Sequence, residues 1–423
     1  MANSFSKEER VAFELILEGF HDQLVLSKAA HIYNTDQVTM ERTSDVIWRP
    51  QPYISQSFDG MDQTANFRDY TQMAVPATIG YSKSVPWKMT AKDLRDALQE
   101  QRLGQSARQK LASDINVAVT NIACLQGTLV VKRTSAASGF DDVALCEAIM
   151  NEQGVDMDDR YLALSTRDYN GMASNLQTAS RSFGNNKSDD AFERAHVGRV
   201  ASFDTLKLDY TRRIAAAAGG SITISTADAG LNYYIPRATS TAVTGERNNV
   251  DNRYQTVTVS ATSGVVAGDC FTIAGVEAVH HITKQSTGQL KTFRVISVTN
   301  GTTMVISPPI ISDQVANPAS AIYKNVEVTS KSATAAITWL NTAAGYINPF
   351  WHKDAIEILP GRYAVPADAG TAVMRATTEQ GIELVMQKWY DINTMDIKYR
   401  VDTLFGVCNK QPEMTGLILF GQS

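Results

Sequence analysis

The chain has 423 residues, 43% hydrophobic and 20% charged, enough apolar material for two or three cored domains and too ordered a composition for a disordered chain. A formal net charge of −5 gives no sign of a protein that grips nucleic acid through its overall charge, and no apolar run approaches the ~18 residues of a membrane span. The start, MANSFSKEER, lacks the apolar core of a signal peptide, and Cys124, Cys146, Cys270 and Cys408 form no close pair, so reduced thiols are expected.

Residues 6 to about 31 read as an amphipathic helix. Ser6 and Glu9 fit a capping box, and Phe13, Ile16, Leu17, Phe20 and Leu24 form an apolar stripe. Glu14, Glu18 and Asp22 recur every fourth residue on another face, where like charges cost roughly a few tenths of a kcal/mol each. That strip is either a solvated face or a docking strip for a basic partner. Between 48 and 89, Val75, Ala77, Ile79 and Tyr81 alternate as a half-buried strand should. The preceding QSFDGMDQTANFRDY is polar and turn-rich. It predicts a long two-stranded finger with a charged tip at Asp59, Asp62, Arg68 and Asp69. A ribbon of two strands is marginal alone, so it should lean on its own body or on another subunit.

The organising element is one long helix from Thr90, a candidate N-cap, to Gly127, a candidate C′ glycine. Leu94, Leu98, Ala107, Leu111, Ile115, Val119 and Ile122 recur on one face, and Gly104 is its weak point. About 36 residues would span roughly 54 Å. This is either a scaffold helix of a large enzyme or the spine of a flat subunit.

Residues 128–222 read as mixed α/β. LVVK (129–132) and DDRYLALST (158–166) are strand candidates, 141–154 is a helix closing on Gly154, RDYNGMASNLQ is a turn and short helix, and 183–204 is loop-rich. IAAAAGG (214–220) is a candidate hinge. From about 221 to 332 short alternating strands take over: ITIST, QTVTVSA, CFTIAGVEAV, KTFRVISV, TMVISPP and AIYKNVEV, with a hairpin signal at Asn300-Gly301 and a turn at ATSG (261–264). This spacing predicts a small antiparallel barrel. A charged loop within it carries Arg237, Glu246, Arg247, Asp251 and Arg253, as an ordinary solvated loop or a contact between subunits. Residues 333–345 read as a short helix and return. The strands of 346–423 should rejoin the sheets begun before 222, making the barrel an insertion into a discontinuous body.

Catalytic signatures are missing: no G-x-S-x-G elbow, P-loop, G-x-G-x-x-G after a strand, or H-E-x-x-H. His280 and His281, adjacent in a strand, would point to opposite faces and make a poor metal site. No catalytic, cofactor-binding or metal residue is therefore assigned. The alternative of a hydrolase or other enzyme with a barrel accessory module rests on no motif.

Several segments carry a resemblance: VPATIGYSKSVPWKM (75–89), KDLRD (92–96), QSARQKLA (105–112), VDNRYQTVTVSATSG (250–264), GDCFTIAGVEAVHHITKQSTGQLKTFRV (268–295), NPFWHKDAIEIL (348–359) and KWYDINTMDIKYRVDTLFGV (388–407). Through them the chain resembles the major coat proteins of short-tailed lambdoid phages of enteric bacteria. The resemblance implies an α+β, Hong Kong 97-type capsid fold with an inserted β-barrel domain. It implies an N-arm (1–35), an E-loop with flanking strands (48–89) and a peripheral-domain spine helix (90–127). An axial domain (128–220), the inserted barrel (221–345) and a return to the axial and peripheral domains (346–423) follow. It implies a virion protein assembled in the host cytoplasm into pentamers and hexamers of an icosahedral shell. A scaffolding protein and a portal protein at one vertex are implied as partners, with double-stranded DNA enclosed without sequence-specific binding. No cofactor and no membrane are implied. Glu14, Glu18 and Asp22 become candidate scaffold contacts, and Arg237, Glu246, Arg247, Asp251 and Arg253 candidate contacts between capsomers.

Overall fold

The computed structural model describes residues 5, 7–33, 46–52, 54–64, 66–90, 97–180, 197–224, 233–315, 317–328, 334–365, 371–378 and 380–423. In chain order the helices are α1 (Lys7–Gln23), α2 (Val25–Lys28), α3 (Ala97–Gln126), α4 (Phe140–Gln153), α5 (Thr166–Ser180) and α6 (Pro318–Ile322). The strands begin with β1 (His31–Ile32), β2 (Ile47–Pro50), β3 (Ala74–Ala77), β4 (Tyr81–Thr90), β5 (Leu129–Lys132), β6 (Arg160–Ser165), β7 (Arg199–Val200) and β8 (Phe203–Leu208). Then come β9 (Arg213–Ile214), β10 (Thr239–Thr241), β11 (Arg247–Asn249), β12 (Gln255–Thr258), β13 (Cys270–Val279), β14 (Ser286–Asn300), β15 (Thr303–Ser307) and β16 (Val326–Val328). The last are β17 (Ile337–Trp339), β18 (Gly345–Tyr346), β19 (Asn348–His352), β20 (Ile356–Pro360), β21 (Ala372–Thr377), β22 (Glu383–Asp391), β23 (Asp396–Asn409) and β24 (Thr415–Leu419). The chain folds as two compact units, one of Met1–Ile47, Pro76–Thr120 and Ile356–Cys408, the other of Trp48–Val75, Asn121–Ala355 and Asn409–Ser423.

In the first unit β23 is the centre of a six-stranded sheet, with β22 on one side and β4 along the other. Trp87 stacks on Tyr399 at 5.6 Å and Tyr81 on Phe405 at 5.3 Å, as cross-strand aromatic pairs do. The apolar stripe of α1 is inside, with Phe13, Ile16 and Phe20 buried. Glu9 is not limited to a helix cap: its Oε1 accepts from Tyr399 Oη at 2.8 Å and Lys388 Nζ at 2.5 Å. The capping partner Ser6 lies outside the described residues. The single helix expected over 6–31 is broken at Leu24, where ψ is 62°. Asn116 of α3 takes up the groups this break strands. Its Nδ2 donates to Gln23 O at 3.0 Å, and its Oδ1 accepts from Leu26 N at 3.3 Å.

Helix α3 buries Ala107, Leu111, Ile115 and Val119 completely, as its periodicity requires. Thr90 is the last residue of β4, opposite Asp396, and the residues between it and Ala97, Leu94 among them, lie outside the described residues. Gly104 is not merely a weak point: a Cβ there would sit 2.7 Å from Ile16 Cδ1, so the missing side chain lets α1 pack against the spine. At the other end Gly127 is not left-handed. Its need for glycine is close approach, since a Cβ would meet Ala123 O at 3.0 Å and Gly416 O at 3.3 Å.

In the second unit the strand order is β5-β24-β19-β6-β8-β7. Strands β19 and β24, from the end of the chain, lie among strands formed before residue 209, which is the rejoining the sequence predicts. Helices α4 and α5 supply Val143, Cys146, Met150, Tyr169 and Met172 to a core with Leu162, Phe203 and Phe350. Helix α4 ends on Gly154 at φ +80°, and α5 is a full 15-residue helix rather than a turn and short helix. Residues 181–196 of the expected loop are outside the described residues. Ile214 of IAAAAGG ends β9, and the rest, 215–220, is irregular backbone in which Ala217 N donates to Asn341 O at 2.8 Å.

The expected barrel is supported in part. Antiparallel ladders run β12-β15-β14-β13, with β17 on one half of β13 and β16 on the other. Residues 222–224 add two isolated bridges, Ile224 to Val259 beyond β12 and Thr223 to Ala336 before β17. Phe271, Phe293, Val295, Ile306 and Ile337 fill the core, the two phenylalanines 5.7 Å apart. Three expectations fail here. Residues 337–339 form β17 where a helix was expected, because Ala-rich ATAAITW finds an open ladder on β13. AIYKNVEV is split, its start closing α6, which Asn317 caps through Ala319 N at 2.9 Å. His280 and His281 lie beyond β13, where a turn begins rather than a strand continuing.

Candidate inter-subunit surfaces

Three projecting segments carry the residues singled out by sequence. The first is the outer face of α1, where Glu14 and Glu18 are exposed; Asp22 is on the same helix, and its side chain is outside the described residues. Val11 and Leu15 are exposed on that helix too, so the acidic strip is interleaved with apolar side chains. The opposite stripe is buried, so this face has no role in the unit's own core.

The second segment is the finger. The expected two-stranded ribbon is confined to its base, where β2 pairs with β3, and no strand occurs among its described residues from 51 to 73: a polar stretch without alternation offers nothing for a strand face to bury. Gln51 N to Met73 O, 2.9 Å, joins its two ends. Towards the tip the loop is held by short-range bonds. Gln63 Nε2 donates to the carbonyls of Asp59 and Gly60, at 3.2 and 2.6 Å, and Arg68 lies 5.5 Å from the Phe58 ring centre. Asp62 accepts from the Thr64 hydroxyl and amide, at 2.6 and 3.1 Å, which holds its carboxyl below the usual range. Asp59, Asp62, Arg68 and Asp69 are all exposed. So are Met61, at 104%, and Phe67, at 86%, which sequence reasoning missed. Their signal was present: large apolar residues inside a turn-rich polar stretch have no core to join.

The third segment is an arm, β10 and β11, paired from Thr239↔Asn249 to Thr241↔Arg247. Every residue of both strands is exposed, and Val243 in the connecting loop is 108% exposed. Arg237, Glu246 and Arg247 are exposed on it. The structure separates Asp251 and Arg253 from them. Arg253 Nη2 and Nε bind Asp251 at 2.7 and 2.9 Å, Nη1 donates to Asn409 O at 2.8 Å, and Arg253 is only 8% exposed. This pair fastens the root of the arm, with Arg253 buried and Asp251 half-buried. Asn252 beside it holds both backbone groups of Arg237, at 3.0 and 2.9 Å.

Arm and finger share one root. Ala74 bridges Asp251 in parallel, Tyr323 Oη donates to Thr71 O at 2.8 Å, and Ile54, Ile311, Ile322 and Tyr323 form a small core with Met73 and Tyr234. Among the described residues no group of three metal-ligating side chains occurs. No helix described is long and apolar enough to cross a membrane. The four cysteines are free and buried, and burial pushes the Cys124 thiol up to about 12.

Residues 1–421 match the family model described as P22 coat protein - gene protein 5. The chain belongs to the P22 coat protein family. Among solved structures, the CUS-3 coat protein I-domain is 42% identical over 29% of this chain and 98% of its own, with a TM-score of 0.23. The capsid of the cyanophage P-SCSP1u is similar at 9% identity, over 93% of this chain and 86% of its own, with a TM-score of 0.44. The Mycobacterium phage Che8 structure is similar at 8% identity, over 92% and 88%, with a TM-score of 0.43. As a P22-family coat protein the chain is a structural subunit, not an enzyme: a major capsid protein of the icosahedral phage head, with the Hong Kong 97-type fold. Its place is the virion.

Proposed function

We propose that this coat protein assembles with a scaffolding protein into the precursor shell of a short-tailed phage. The shell takes a portal protein at one vertex and expands around double-stranded DNA. Glu14, Glu18 and Asp22 are the strip a basic scaffold segment meets. Asp59, Asp62, Arg68 and Asp69, with Met61 and Phe67, are the finger's contact with a neighbouring subunit. Arg237, Glu246 and Arg247 join capsomers.

The observation that carries this reading is the arm. A two-stranded ribbon with both strands wholly exposed buries nothing of its own, and such ribbons are marginal in water. It gains order only by meeting a partner. The net charge of −5 also suits a DNA container, because a basic wall would bind phosphate along its length. Negative-stain microscopy and sedimentation of the purified subunit, with and without scaffold, test the proposal. The expected result is closed shells of uniform size only with scaffold. In Glu14→Lys with Glu18→Lys, shell yield should fall at least several-fold while the subunit melts as before. Unchanged yield and geometry in that variant would remove the scaffold assignment, and failure of every preparation to form shells would remove the assembly reading.

A further inference from the structure

Strand β5 ends the six-stranded sheet of the second unit. A terminal strand presents amide and carbonyl groups that can recruit a strand from another chain. In this fold β14 of the barrel meets that edge through a side chain. The Thr292 hydroxyl donates to Thr128 O at 2.7 Å and accepts from Val130 N at 3.3 Å. Those two groups flank Leu129, and one residue of an added parallel strand would bond to both. A single oxygen therefore stands where a peptide unit of a seventh strand would be.

Neighbouring side chains of β14 also tie that strand to residues at and near this edge. Arg294, two residues on and so on the same strand face, donates to Gly127 O at 3.3 Å. Lys291 reaches Glu413 Oε1 at 2.6 Å and Gln153 Oε1 at 3.0 Å. Lys291, Thr292 and Arg294 are all buried. Phe293 and Val295, between and beyond them, point into the barrel core. The other end of the sheet needs no such device, since β7 is only two residues long.

We infer that Thr292 is an edge plug: its hydroxyl occupies the free edge of β5 and stops a subunit outside the shell from adding a strand of a second copy of this chain. The inference does not depend on which surfaces build the shell. Threonine suits the task because its branched Cβ holds the hydroxyl in few rotamers. Valine has nearly the same shape and lacks both bonds.

The test compares full-length Thr292→Val, Thr292→Ser and the unaltered chain as scaffold-free subunits, by hydrogen–deuterium exchange read on peptides covering 128–132 and by light scattering against concentration. In Thr292→Val, exchange in 128–132 should rise at least tenfold with that of 293–300 little changed, and the concentration at which scattering begins should fall several-fold. Thr292→Ser, which keeps the hydroxyl, should stay close to the unaltered chain on both readouts. Equal exchange in 128–132 for Thr292→Val and the unaltered chain would overturn the inference, as would a serine variant that behaves like valine. Should Thr292→Val aggregate outright, exchange within the aggregate decides: protected 128–132 means the edge has recruited a strand and supports the plug, and exposed 128–132 overturns it.

Discussion

The residues that fasten the barrel to the body sheet are ionisable and buried, which makes them costly to disturb singly. Lys291 is 1% exposed and pairs with Glu413 at 2.6 Å, while Asn325 Nδ2 donates to the same oxygen at 3.1 Å. Lys291→Ala leaves Glu413 facing only Asn325 and the more distant charges. The expected loss is about 3 kcal/mol, because breaking a buried pair strands its partner; urea unfolding of the scaffold-free subunit measures it. His281 sits in the same cluster, facing Glu413, Lys284, Lys291 and His280, and burial, helped by the lysines and opposed by Glu413, pushes its pKa down to about 4. The sign follows from linkage. The unfolded histidine gains its proton near pH 6.5 and the folded one only near 4. Stability from this group is therefore whole above 6.5, is lost as pH falls from 6.5 towards 4, and changes no further below that. His281→Gln should lose less melting temperature than the unaltered chain between pH 7 and about 4.5; equal slopes would remove this account.

At the scale of elements, Gly104 and Ile16 form a testable pair. Alanine for glycine in a helix interior should gain about 1 kcal/mol. Here its Cβ would lie 2.7 Å from Ile16 Cδ1, so Gly104→Ala should gain far less or lose stability. Ile16→Ala makes room, and in the double variant Gly104→Ala should become favourable, giving a coupling of about 1 kcal/mol in a double-mutant cycle. Additive effects would mean α1 and α3 pack otherwise. The same pair shows what a sequence can and cannot disclose. The stripes of α1 and α3 were legible because burial follows the 3.6 period, and β12, β15 and β16 because burial alternates along them. Gly104 read as a flaw, since the residue that needs its space lies 88 positions earlier. The break at Leu24 was hidden for the same reason: Asn116, which repairs it, is remote in sequence. β17 was missed because alanine-rich sequence takes whatever ladder the tertiary fold offers. Glu14 and Glu18 were legible as exposed charge, whereas the burial of Arg253 against Asn409 O involves a residue far along the chain.

At the scale of the whole molecule, the projecting segments divide into surface and root, and mutation should tell them apart. Arg247 is exposed on the arm, so Arg247→Glu should leave urea unfolding within about 0.5 kcal/mol, as for ordinary surface sites. Shell yield should drop if the arm joins capsomers. Arg253 belongs to the root, where it neutralises Asp251 and bonds Asn409 O. Arg253→Ala should cost about 2 kcal/mol before any assembly is attempted, because it removes the donor to the buried Asn409 O and leaves Asp251 only the backbone amide of residue 253. The root also predicts a link between segments that are far apart in sequence. Since Ala74 bridges Asp251 and Tyr323 bonds Thr71 O, loosening that core should loosen arm and finger together. Ile311→Ala opens a cavity among Ile54, Ile322 and Tyr323, and should speed amide exchange in both 54–73 and 238–250. Exchange that rises in only one of the two segments would show that they are rooted separately, and that a shell contact made by one leaves the other unaffected.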